Sequence, residues 1–325
     1  MFTKPIACLL ICLTLGGMFM PMLPAQEIDP QMQAVLDEWA ALKPKPLDTL
    51  TPEQARQQPS AADAVRALLK NQGKEVTPEE VGGVKDLTIP GHAKIPARVY
   101  TPQGEGPFPV LVFWHGGGWV IADLDAYDAS CRALCNAAKC IVVSCEYRRA
   151  PECPFSAAVE DAFAAYQWVV DNAPNLGGDP DQIALGGESA GGNLAAVTAL
   201  QARDYGVRAP VHQMLIYPVT DCNFETESYK EHADAKPLNR AMMKWFWGHY
   251  LYGTDCADNP YLTPLHDENL HHLPPTTIIT ADIHPLLFLM SAYPCHCRLH
   301  STAAIRRSSQ PRIPPSAARK TNELP

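Results

Sequence analysis

Basic side chains are scarce. The 325-residue chain carries 26 Lys plus Arg against 35 Asp plus Glu, a net charge of −9, and no basic cluster occurs before the last thirty residues. It therefore lacks the positive footprint that nucleic-acid binding requires. No CxxC pair is present, which argues against a zinc ribbon or a thioredoxin-like motif. No internal repeat is visible. Charged residues make up only 19%, against 46% hydrophobic, with 20 Gly and 31 Pro, a profile that excludes disorder, collagen and coiled coil. What remains is a folded globular protein with many turns, of one large or two modest domains.

Lys4 precedes an apolar run from Ile6 to Leu23, and Pro24-Ala25 lies just before a polar stretch starting at Gln26. Residues 1–25 read as a secretory signal peptide, which implies an exported protein, periplasmic or secreted. The alternative is an uncleaved membrane anchor, weakened as a span by Gly16, Gly17 and Pro21. Export permits disulfides. Nine cysteines follow that segment, an odd number, and several lie in periodic apolar stretches: Cys131 and Cys135 at i, i+4, Cys140 and Cys145 flanking a strand. The expectation is buried thiols rather than a disulfide framework.

Apolar patterning alternates strands (84–89, 96–100, 110–114, 140–145, 183–185, 214–217, 276–281) with helices (125–138, 155–172, 191–203). Two further helices, 31–43 and 61–71, precede the first strand. This order implies a mostly parallel sheet with helices on both faces. The pattern breaks between Asp221 and Pro274, where 241–252 is unusually aromatic (Trp245, Phe246, Trp247, Tyr250). Those rings either fasten an insertion to the body or line an apolar substrate pocket.

Two motifs carry chemistry. Gly187-Glu188-Ser189-Ala190-Gly191 falls between a strand and a helix, where a sharp turn projects the serine hydroxyl above the sheet and flanking glycines let the two elements approach. The glycine spacing from Gly186 to Gly192 does not fit dinucleotide binding. His115-Gly116-Gly117-Gly118-Trp119 directly follows the strand at 110–114 and leaves backbone N–H groups unobstructed, as an oxyanion site needs. His115 is a base by type, but in hydrolases of this kind the catalytic His follows the nucleophile, so a structural role is expected.

With both motifs present, the chain resembles the bacterial hormone-sensitive-lipase-like esterases, a branch of the α/β-hydrolases. The likeness runs from about Val84 to Ala281 and includes the motif at 115–119, Tyr147-Arg148-Arg149-Ala150-Pro151-Glu152, the helix start at 157–161, the stretch 186–195, and Leu215-Ile216-Tyr217-Pro218. It implies an α/β-hydrolase fold with a helical cap, Ser189 as nucleophile, and an oxyanion hole built from the amides of Gly117, Gly118 and Ala190. The implied substrate is a small-molecule ester, with no metal or cofactor. The expected organisation is 26–83 as N-terminal cap helices, 84–220 as catalytic core, 221–274 as cap insertion, and 275–285 as a core strand.

The resemblance fails near the end. Where such enzymes carry Asp-Pro-Leu the chain has His284-Pro285-Leu286, with Asp282 the nearest carboxylate, and no His-Gly-Phe loop follows. His296 and His300 come too early for the missing helix and strand. Residues 286–325 hold no Gly and one acid against six basic residues, an abrupt shift of the kind a wrong reading frame produces. The expectation is an aberrant tail that adds no strand. Cys295, His296, Cys297 and His300 lack the spacing of a structural zinc site. Ester hydrolysis is the leading function, impaired by the missing Asp and His; the alternatives are a ligand-binding degenerate hydrolase and an unstable product.

Overall fold

The structure is a computed structural model and describes residues 28–253, 259–293 and 297–301; the expected signal segment lies outside these. One eight-stranded sheet organises the chain, in the order β1-β2-β4-β3-β5-β6-β7-β8. β1 (Gly83–Ile89) and β2 (Ile95–Thr101) form an antiparallel pair, and β2 runs antiparallel to β4 (Ile141–Cys145). From there β3 (Phe108–Trp114), β5 (Gly178–Glu188), β6 (Gln213–Ile216) and β7 (Thr276–Thr280) continue in parallel. This is the mostly parallel sheet that the apolar runs predict.

Val110 to Trp114 and all of β4 are buried without alternation, because helices cover both faces. On one face α4 (Asp128–Ala138) sets Cys131 and Cys135 against Leu111, Phe113 and Val142. On the other, Val110, Val112 and Trp114 join the core beneath α5 (Ala157–Asn172) and α6 (Ala190–Asp204). Every residue of α6 from Ala190 to Ala202 is buried; its small side chains let it sit deep against the sheet. Cys131, Cys135, Cys140 and Cys145 are buried free thiols, as expected, and burial pushes the Cys131 thiol up to about 12. Cys222 departs from that expectation, because it is disulfide-bonded.

α1 (Pro30–Ala41), α2 (Pro52–Arg56) and α3 (Ala61–Asn71) precede the sheet; the third starts where the Ser60 hydroxyl accepts the Asp63 N–H at 3.2 Å. Arg56 fastens α2 to the body. Its guanidinium donates to the carbonyls of Val120 and Ala150, each at 2.8 Å, and forks onto Glu152 at 2.7 Å, which holds that carboxyl down at about 2. Between β6 and β7 lie α7 (Glu227–Glu231) and α8 (Arg240–Leu251). The Trp245 indole N–H donates to Leu50 O at 3.1 Å and so joins the two helical regions. Among the described residues no helix is long and apolar enough to cross a membrane.

The C-terminal part corrects the sequence reading. Residues 286–293 stay in the fold: α9 (Leu287–Ala292) follows β7, and Leu286, Leu289, Met290 and Tyr293 are buried in the main core. An eighth strand, β8 (Cys297–Ser301), pairs in parallel with β7 from Thr276↔Cys297 to Thr280↔Ser301. The physical reason is that 286, 289, 290 and 293 form a helical apolar stripe, and an edge strand needs only backbone partners on an existing template. The expected absence of a helix beyond β8, and the rest of the tail from residue 302, lie outside the described residues.

Candidate active site

β5 ends at Glu188 and α6 begins at Ala190, so the turn between them is one residue, Ser189. That turn forces Ser189 to φ 54° and ψ −114°, a left-handed backbone costing a non-glycine residue about 1–3 kcal/mol. Neighbouring backbone holds it there. The Ser189 N–H donates to Ile216 O at 2.8 Å, and its carbonyl accepts the N–H of Asn193 at 3.0 Å and of Val219 at 3.2 Å. The side chain itself is half-buried and open to a reactant.

The flanking glycines are obligatory. A Cβ on Gly187 would run into the Gly191 carbonyl, and one on Gly191 into the carbonyls of Trp114 and His115. The second approach also seats the start of α6 on the end of β3, which carries the glycine loop. The structure thus brings Ser189 and residues 115–119 together at one end of the sheet. Gly117 takes φ 101° and Gly118 φ 57°, values that favour glycine. The Gly117 carbonyl accepts the N–H groups of Val120 (3.0 Å) and Ile121 (2.9 Å), closing the loop into a tight turn. Among the described residues, no protein acceptor takes the amides of Gly117, Gly118 or Ala190.

His115 is placed as a structural residue. It is fully buried, its Nδ1 lies 2.7 Å from Gly116 O and its Nε2 3.4 Å from Glu146, and its ring stacks on Tyr147 at 4.5 Å. The Tyr147 hydroxyl donates to the carbonyls of His115 (3.0 Å) and Gly116 (3.2 Å), so the motif holding Tyr147 supports the loop from below. Further along it, Arg148 binds the buried Asp161 through its backbone N–H (2.8 Å) and Nε (2.9 Å).

His284 is buried where the resemblance calls for a carboxylate. Its ring stacks on Tyr217 at 5.4 Å and its Nδ1 accepts the Leu286 N–H at 3.2 Å. Burial, and then the charge of His232, pull its imidazole down to about 4, so it is neutral near pH 7. Asp282 is half-buried just after β7. Among the described residues no histidine hydrogen-bonds Ser189; the one close Asp–His pair, Asp221 with His266 at 3.0 Å, belongs to the segment between β6 and β7. No cluster suited to a metal exists among the described residues, and the group at 295–300 lies outside the described side chains.

Sequence reasoning missed the surroundings of Glu188. Burial raises its carboxyl to about 7 against the pull of a Tyr217 hydrogen bond and His115, and the Tyr127 hydroxyl donates to it directly. No local pattern signals this contact, because Tyr127 lies 61 residues from Glu188. The aromatic helix α8 mainly fastens the insertion: Met243, Phe246, Trp247 and Tyr250 are buried, and Tyr250 stacks on Trp119 at 4.1 Å. Phe246 does more, because its ring packs so closely on Gly118 that a Cβ there would run into it, and it roofs the glycine loop.

Comparison with known proteins agrees with this geometry. Residues 111–302 match the alpha/beta hydrolase fold family. The chain is 38% identical over 275 residues to carboxylesterase NlhH of Mycobacterium tuberculosis, covering 82% of this chain and 81% of that protein. It is 46% identical over 210 residues to carboxylic ester hydrolase LipN of the same organism, covering 62% of this chain and 56% of LipN's length. Among solved structures, an esterase of Pyrobaculum calidifontis superposes with a TM-score of 0.74 at 34% identity, covering 85% of this chain and 89% of its own. An ester hydrolase from the Lake Arreo metagenome gives 0.75 at 36% identity, with coverage of 85% and 89%. On fold, motifs and relatives together, the chain belongs to the α/β-hydrolase family, in its hormone-sensitive-lipase-like branch of carboxylic ester hydrolases.

Proposed function

We propose that the chain cleaves small-molecule carboxylic esters through an acyl-serine intermediate on Ser189, slowly, because among the described residues no imidazole–carboxylate pair stands ready to take the serine proton. The observation that carries this reading is the backbone of Ser189, held at φ 54° beside three amides that have no protein acceptor among the described residues. Ser189 Oγ bonds to the ester carbonyl carbon, and the carbonyl electron pair moves onto oxygen. The amides of Gly117, Gly118 and Ala190 receive that charge; one such donor is worth about 3–4 kcal/mol of barrier. Collapse breaks the bond to the alcohol oxygen, which leaves with the proton lost by serine, and water then releases the acid. Each step uses protein groups and water.

The proton is the weak point. In family members an Asp-oriented His carries it, whereas here position 284 is a neutral imidazole whose Nδ1 is already occupied. Losing a triad member leaves on the order of 10³–10⁴-fold catalysis over water. The protein is read as exported, a view supported by the residues at 1–25 and by the disulfide at Cys222.

Turnover of p-nitrophenyl acetate tests this. The chain as it stands is expected to hydrolyse it barely above background. Replacing everything after Ala281 with a family-like ending, Asp at 284 and a His-Gly-Phe loop included, should raise turnover by several orders of magnitude, and Ser189→Ala should abolish the gain. Turnover by the unaltered chain at ordinary enzyme rates, about 1–10³ per second, would overturn the reading.

A further inference from the structure

The enclosed carboxyl of Glu188 takes no part in the ester cleavage. Glu188 is the residue before Ser189, and its carboxyl faces Gly116 in the loop that follows β3. There the Tyr127 hydroxyl, from the turn leading into α4, donates to Glu188 Oε2. Gly116 lies between them. A Cβ at that position would stand 2.7 Å from the Tyr127 hydroxyl, 3.0 Å from Glu188 Oε2 and 3.1 Å from the Glu188 carbonyl. The hydroxyl and carboxyl therefore close over the backbone of Gly116 as two halves of a clasp. A side chain at Gly116 would press on both halves of the clasp.

We propose that Glu188 is a positioning residue which, paired with Tyr127, clasps Gly116 and fixes the glycine loop at 116–118 against the nucleophile turn. This rests on the reading of the Gly117, Gly118 and Ala190 amides as an oxyanion hole, because the clasp sets the distance between the first two and the third. Gly117 and Gly118 belong to the loop, Ala190 to the turn. The approach of Gly191 to the Trp114 and His115 carbonyls and the Tyr147 hydroxyl anchor the start of the loop; the clasp adds the side-chain link from the residue before the nucleophile to Gly116. Misplacing such groups by about 1 Å costs on the order of a hundredfold in rate.

The other groups facing Glu188 fit this role. Tyr217 hydrogen-bonds the same carboxyl from the end of β6, and His115 approaches from the end of β3. The three phenol and imidazole groups come from three separate chain segments, so the acid is the point where these segments meet. Burial keeps the carboxyl protonated to about pH 7, so a glutamine amide is a close mimic of the acid in its neutral form. Glu188 and Tyr127 also line a cleft with Leu134, Ala137 and Ile216.

Three variants of the full chain test the clasp: Glu188→Ala and Tyr127→Phe remove one half each, and Glu188→Gln keeps the shape and the acceptor. Two readouts are taken, deuterium uptake of peptides covering 115–120 and the rate at which a p-nitrophenyl phosphonate modifies Ser189. Glu188→Ala and Tyr127→Phe should speed exchange at 115–120 by about tenfold or more while peptides from β4 exchange as before, and should slow modification by roughly ten- to a hundredfold. Glu188→Gln should restore both. Exchange unchanged in Glu188→Ala and Tyr127→Phe, or a Glu188→Gln protein as loose as Glu188→Ala, overturns the proposal. The exchange readout needs no reaction at Ser189, so a serine that fails to react would count against the proposed function and leave the clasp decided by exchange. Should Glu188→Ala not fold, Tyr127→Phe decides with the same two readouts.

Discussion

Replacing His284 with Asn should expose a loss of stability with rising pH between about 4.5 and 7 that the parent masks. His284 is buried and its imidazole is held at about 4, against an ordinary 6.5 in the unfolded chain. The unfolded chain therefore takes up a proton first. The stability contributed by this group is complete above pH 6.5 and is lost as pH falls toward 4, a difference worth roughly 3 kcal/mol. Glu188 has the opposite sign. Its carboxyl keeps its proton to about 7 when folded but ionises near 4.5 when unfolded, so its contribution is complete below 4.5 and is lost as pH rises through 7, again by roughly 3 kcal/mol. The two slopes oppose one another in the parent. Asn at 284 still offers an acceptor to the Leu286 N–H but does not titrate, which exposes the Glu188 slope. Urea unfolding at several pH values should show His284→Asn losing stability steadily as pH rises, and Glu188→Gln gaining it. Three curves that run parallel to within about 0.5 kcal/mol across that range would refute the reasoning.

Two further outcomes follow from packing. Gly191→Ala should destabilise the fold by about 3 kcal/mol or prevent its formation, because the new methyl meets the backbone carbonyls of Trp114 and His115, which cannot give way as a side chain could; thermal unfolding measures it. Phe246→Ala should remove the roof over Gly118, costing about 3–5 kcal/mol of stability while shifting preference toward longer acyl chains, as read from relative rates on a p-nitrophenyl ester series in the chain with the repaired ending.

Most of the sheet was legible because a parallel sheet buried on both faces writes itself as unbroken apolar runs, and 110–114 is such a run. The nucleophile turn was legible because its glycines are forced by close backbone approaches, which sequence spacing records. Residues 286–301 were misjudged for a physical reason. Their lack of glycine and acid outweighed a helical stripe at Leu286, Leu289, Met290 and Tyr293 that was there to be read, and β8 takes its form from β7 as template rather than from its own pattern. The Tyr127–Glu188 contact could not be read at all, since it joins residues 61 apart through a turn whose geometry no local pattern encodes. The disulfide at Cys222 was hidden for the same reason: pairing depends on which segments the fold brings together.

The most direct test of the account is to locate the residue that a reactive phosphonate modifies. The full chain is incubated with an excess of the reagent, digested and read by mass spectrometry. The account predicts a single slowly accumulating adduct on Ser189, absent from Ser189→Ala. An adduct on any other residue, or none at Ser189 after prolonged exposure of folded protein, would contradict it.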